Sequence, residues 1–167
     1  RRRGWIEPGL VKSDHLYSLG ALLFAFTCWW AYIAFSQYML IWYANIPEET
    51  GWFMARQLGG WLPASLFLLF GHFIIPFLFL ISRFPKRRPR LLVLGCLWMI
   101  VMHWVDLYYL VGPSLTPEGP RVGLMDVACF IGMGGLFFLG VAFWLRKHKL
   151  VPVGDPRLSE SLAFENA

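Results

Sequence analysis

Charge is scarce in this sequence. Only 15% of its residues are Asp, Glu, Lys or Arg, against about 25% in an ordinary soluble domain, so it cannot cover a water-facing surface in the usual way. Cysteine is nearly absent as well. Cys28, Cys96 and Cys129 each lie in a different apolar run with no CxxC pair, which argues against a disulfide framework or a structural zinc site and leaves them as small packing residues. There is no internal repeat, no low-complexity tract, and no strand ahead of the small residues Ala128, Gly132 and Gly135 that would make them a nucleotide loop. Those three share one helical stripe and read as a surface for close helix packing. No signal peptide is evident: the chain opens RRRGWIEPGLVKSD, and its first apolar run is too long for an h-region. It reads as the continuation of a longer protein.

What the chain has in abundance is apolar and aromatic surface, 57% and 18% of residues, including nine tryptophans. Four runs reach the roughly 20 residues a helix needs to cross a bilayer: residues 16–43, 58–82, 91–111 and 122–145. The expected fold is an all-α integral membrane bundle of four antiparallel helices. A flank over 1–15 precedes it and a polar, proline-containing tail over 146–167 follows, the tail expected to be disordered or docked on another subunit. Ser13 or Asp14 is placed to cap the first helix. That helix ends in an aromatic belt followed by ANIPEET, which reads as an acidic surface turn.

Orientation follows from the cations. The flank, the SRFPKRRPR loop and the tail hold 13 of the 15 Lys and Arg residues, whereas the two opposite loops hold only Arg56 and Arg121. The positive-inside rule therefore places both ends and the SRFPKRRPR loop in the cytoplasm. Pro85 and Pro89 are expected to stop the helices on either side of that loop. The net charge of +5 is a topology signal that touches anionic headgroups rather than a nucleic-acid surface, because the basic residues fall between apolar runs.

An ionisable side chain in the hydrocarbon costs several kcal/mol by insertion scales, on the order of 3, so each one calls for a reason. The candidates are His72, His103, Asp106 and Asp126, with Gln37, Ser36 and Tyr109 as neutral companions. His103 and Asp106 stand three apart on one helical face, where a carboxylate can orient an imidazole or share its proton. At 1.5 Å per residue, His103 and His72 lie roughly 18 and 15 Å from the cytoplasmic ends of their helices, nearly one depth. Pro76 removes the hydrogen bond that would end on the carbonyl of His72, predicting a kink and a polar pocket there. Pro63 does the same to Gly59, near a helix start where it matters less. Each feature also has a plainer reading: His72 as an interface hydrogen bond, His103 and Asp106 as an internal pair that fixes packing, Asp126 as a water-relieved group near the interface, and His15 and His148 as surface residues. Three chemistries fit the cluster: quinone binding, proton conduction, and haem ligation by His72 and His103.

Three stretches, LGALLFAFTCWWAYIAFSQYMLIWYANIPEET, HWVDLYYLVGP and LVPVGDPRLSESL, resemble in order and spacing the ActF-type NrfD-like membrane subunit of bacterial alternative complex III, a quinol:electron acceptor oxidoreductase. The resemblance implies that the four helices are the C-terminal part of a ten-helix NrfD-like fold in the bacterial inner membrane. It implies as partners a second NrfD-like subunit (ActC), multihaem and monohaem cytochrome subunits, and an iron–sulfur subunit, which carry the haems and clusters; lipid surrounds the helices, and no nucleic acid is involved. On that reading no cofactor is covalently bound here and no metal is held. His103 and Asp106 become proton-path residues, with His72, Gln37, Tyr109 and Asp126 as companions or quinone contacts. The competing readings are a haem b-binding membrane cytochrome and a purely structural anchor.

Overall fold

The structure, a computed structural model, describes residues 11–147, 151 and 154–165; the flank through residue 10 and His148 lie outside the described residues. The described residues are helical with no strand, and four helices are long and apolar enough to cross a membrane: Ser13–Ala44, Gly59–Ile81, Pro89–Leu115 and Leu124–Lys147.

Helix α1 (Ser13–Ala44) starts three residues earlier than expected, so Ser13 and Asp14 form its first turn. It stops where Asn45 adopts a left-handed φ of 50°, a conformation Asn tolerates better than most residues. Ile46 is then extended, as a residue before proline prefers, and Pro47 opens α2 (Pro47–Gln57) with Glu48 and Glu49 in the first turn, where carboxylates favour the helix dipole. The expected acidic turn is therefore the start of an 11-residue helix. Gly59, at φ +73°, reverses the chain into the second span.

The second span is not one regular helix. A 3₁₀ turn (Gly59–Trp61) leads into α3 (Leu62–Leu68), a π-helical turn (Leu69–Ile74) follows, and α4 (Ile75–Ile81) completes it. The π turn stands where Pro76 deprives the ladder of a donor: the Ile75 N–H bonds the carbonyl of Phe70, five residues back. The chain thus answers the missing N–H by widening one turn. The basic segment contains a short helix, α5 (Arg83–Arg87), started by Ser82, whose Oγ accepts from the Phe84 N–H. Pro85 lies inside α5, and Pro89 begins α6 (Pro89–Leu115) instead of ending a helix, the position proline suits best. Helix α6 also runs past the expected stop at residue 111, with Pro113 inside it.

Residues Ser13–Pro120 form one compact unit. Within it, contacts fix the packing as antiparallel for neighbouring spans. Gly20 faces Lys86, Phe24 faces Phe77 and Trp30 faces His72, so α1 and the second span run in opposite directions. Gly95 meets Phe79, Gly71 meets Met102 and Gly112 meets Trp61, so the second span and α6 do as well. The buried apolar core is small, consisting of Trp61, Leu68, Leu80, Leu92 and Met102. Large apolar side chains such as Leu40, Leu78 and Leu94 are left outward, as expected for helices whose solvent is lipid or other helices.

A second unit takes in the residues from Arg121 on. It carries the fourth long helix, α7 (Leu124–Lys147), and a short helix α8 (Leu158–Ala163) within the tail. No residue of α7 is buried, and a Cβ added at Gly132 or Gly135 would meet nothing within 4 Å. The packing surface expected of that stripe has no occupant among the described residues.

Candidate functional site

The polar cluster is built from three elements of the first unit. The π turn brings His72 inward until it is 3% exposed, with its ring 4.0 Å from that of Trp30 on α1. Trp30 in turn donates from Nε1 to Oδ2 of Asp106 on α6, at 2.9 Å. His103 stands one turn before Asp106, its ring 6.3 Å from His72, and is exposed at the surface of the unit. Trp30 is thus the hinge of the cluster: its N–H holds the carboxylate and its face covers the imidazole. The bond Asp106 makes is to this indole and not to His103, so the carboxylate is oriented from the neighbouring helix. Among the described residues, Nδ1 of His72 is buried without a hydrogen-bond partner, an uncommon condition for a polar atom.

The carboxylate also looks onto space. An open groove of about 890 Å³ runs beside α1, with Asp106, Tyr109, Ser65, Gln37 and Gln57 set among predominantly apolar and aromatic lining residues. An apolar cleft with a few convergent polar groups is the usual form of a site for a hydrophobic small molecule, and this one lies within the common range of about 300–1,000 Å³. Asp106 is the one carboxylate on its wall among the described residues. His72 and His103 are not on the wall; His72 sits behind Trp30.

At the far end of the groove, the Tyr109 hydroxyl and Ser65 Oγ are 2.9 Å apart, and Ser65 also bonds the carbonyl of Arg56 at 2.7 Å. Arg56 is 2% exposed. Its Nη1 donates to the carbonyl of Trp52 at 2.9 Å and its Nη2 to that of Leu110 at 2.8 Å, while the guanidinium lies 3.4 Å from the centre of the Trp52 ring. Burial pulls Arg56 below the ordinary arginine value, and the nearby Tyr109 pulls it back up; a guanidinium keeps its charge regardless. Trp61, wholly buried, closes this end by donating to the Thr116 carbonyl at 2.8 Å.

Asp126 caps a helix. Its Oδ2 accepts from the Gly123 N–H at 2.8 Å, half of a capping box at the start of α7, and it belongs to the second unit. His72, Asp106, Tyr109 and Gln37 fall in one region, with His103 on its edge. Trp30, Ser65, Arg56 and Trp52 were not anticipated. A signal existed for three of them: a membrane-buried indole N–H such as that of Trp30 requires an acceptor, and Trp52 and Arg56 are four apart on a helix.

The two histidines stand beside a close contact between the second span and α6. Beside them, a Cβ on Gly71 would come within 2.7 Å of Met102 Cε, and Trp98 Nε1 reaches the Gly71 carbonyl at 2.8 Å. The helices touch there. No family model matches the chain, and no curated protein matches it.

Proposed function

We propose that this chain is a membrane subunit of a quinol-oxidising electron-transfer complex of the alternative complex III type, where it contributes a proton path and a candidate quinone site. The observation that carries the reading is Asp106: a carboxylate at membrane depth, held by Trp30, facing an apolar groove with Tyr109 and backed by two histidines. A group so placed is costly in lipid unless it handles charge or protons. The chain's resemblance to ActF-type NrfD-like subunits supports the same conclusion and rests on the sequence stretches themselves. On that reading the four spans belong to a larger ten-helix fold in the bacterial inner membrane, with both ends of this chain cytoplasmic. A second NrfD-like subunit, the cytochromes and an iron–sulfur subunit carry the electrons.

A bound quinol would supply two electrons and two protons. The chain's own residues do the rest: Trp30 keeps the Asp106 carboxylate facing the groove, Tyr109 and Gln37 offer polar contacts to a ring oxygen, and the apolar wall excludes bulk water. His72, buried behind the Trp30 ring, is a second titratable side chain close to the carboxylate.

Asp106→Asn tests this in the assembled complex. It keeps the acceptor for Trp30 and removes the titrating group, so quinol oxidation should fall about 100-fold or more, the range general acid–base groups contribute, with all partners still co-purifying. Unchanged turnover would return Asp106 to a packing role, and loss of assembly without change in turnover would favour the structural anchor.

A further inference from the structure

The opposite end of the first unit carries a second, independent arrangement of charge. Three cations converge on the single ring of Tyr17: Lys86 Nζ at 5.1 Å, the Arg87 guanidinium at 5.6 Å and that of Arg83 at 6.0 Å from its centre. Lys86 is 6% exposed; its stem lies on Gly20, and its ammonium also faces Phe24 at 5.4 Å. One carboxylate answers the group, Asp14, which takes Arg87 at 3.4 Å. Among the described residues, Lys86 has aromatic faces but no carboxylate against it. Two long helices, α1 and α6, also begin here, so the positive ends of both dipoles add to the field. Helix α6 has no side-chain cap at its N-terminus.

From this arrangement we infer a binding site for a phosphate oxyanion, presented by an anionic lipid headgroup and held by Lys86, Arg83 and Arg87 at the ring of Tyr17. The excess of cations over carboxylates sets the sign of the ligand. The depth sets its source, because α4 ends and α1 and α6 begin at this level, and Leu19, Ile81, Val93 and Leu94 directly below are exposed apolar side chains suited to acyl chains. Aromatic faces hold the ammonium in position without neutralising it, so a phosphate finds its positive charge already in place.

Native mass spectrometry of the complex containing the full chain, with added phosphatidylglycerol or phosphatidylcholine, reads the site directly. Phosphatidylglycerol should be retained in preference to phosphatidylcholine. Lys86→Gln should weaken that retention about tenfold or more, as loss of a charged hydrogen bond does, while Lys147→Gln, which removes the same charge elsewhere, changes it less than about twofold. Arg83→Gln, at an exposed side chain, carries the same expectation in the event that Lys86→Gln fails to assemble. Equal retention of both lipids, wild-type retention in Arg83→Gln, or equal losses in Lys86→Gln and Lys147→Gln would overturn the proposal. Release of the lipid by low concentrations of inorganic phosphate would overturn the lipid as occupant.

Discussion

Each end of the three-span unit buries one cation among aromatic rings, and the two are held differently. Arg56 is closed: two carbonyls accept its Nη atoms, Trp52 lies under its plane, and the carbonyls it binds belong to α2 and α6. Lys86 is open: its stem is packed on Gly20, but its charge faces only the rings of Tyr17 and Phe24. The contrast follows from the side chains. A guanidinium is a rigid fork that can tie two backbones together, whereas an ammonium on a flexible stem is a point charge that stays available. One end is therefore a clasp and the other a receptor.

The largest effect should come from breaking the clasp. Arg56→Met fills similar volume but leaves the Leu110 carbonyl without its side-chain donor and removes the stacking on Trp52. Two hydrogen bonds to a charged group are lost, so SDS-induced unfolding followed by tryptophan fluorescence should show a loss of about 3 kcal/mol. The matched change at the other end, Lys86→Met, keeps the stem contacts and removes a charge that holds nothing together; it should cost less than about 1 kcal/mol. Equal losses would mean that the two cations play one role.

Glycines sharpen the same comparison. At the clasp, a Cβ on Gly112 would fall 2.2 Å from Cη2 of Trp61, a ring that is wholly buried and tied to Thr116. It cannot step aside, and Gly112→Ala should cost about 2–3 kcal/mol, at the upper end of overpacking. A Cβ on Gly20 would meet Cγ of Lys86 at 2.7 Å, but Lys86 sits on α5, a five-residue helix between two spans. The atoms met belong to a side chain with rotatable bonds and not to a locked ring, so Gly20→Ala should cost about 1 kcal/mol by the same mechanism. The pair can be ranked by thermal unfolding in one detergent.

The spans were legible because membrane depth demands long apolar runs, and composition records that directly. That His103 and Asp106 stand one turn apart on α6 was legible from their spacing. What Asp106 bonds to was not, because Trp30 lies 76 positions away in the chain and only packing brings them together. Pro76 announced a broken ladder, yet proline alone does not say whether a helix bends or widens. Arg56 passed as a loop residue because its helix is short and amphipathic, with neither the length nor the hydropathy of a span. The partner of the α7 glycine stripe was not legible at all, since a small-residue face states closeness without naming what comes close.

The smallest expected effect concerns the one carboxylate at the open end. Asp14 accepts from Arg87 at 3.4 Å, with the two side chains 21% and 44% exposed, so solvent screens the pair and its direct worth is below about 1 kcal/mol. Asp14→Asn should barely move the unfolding midpoint, and that small loss should vanish in high salt. Its effect on charge has the opposite sign: removing the one anion paired with the cluster among the described residues frees Arg87 and makes the Tyr17 cluster more positive. Phosphatidylglycerol retention should then rise by about twofold at low salt, the scale of one partly screened charge, while Arg56 at the far end is undisturbed. A fall in lipid retention would show that Asp14 positions Arg87 for the headgroup instead of competing with it, and the open end would then be a built site held together by its own ion pair.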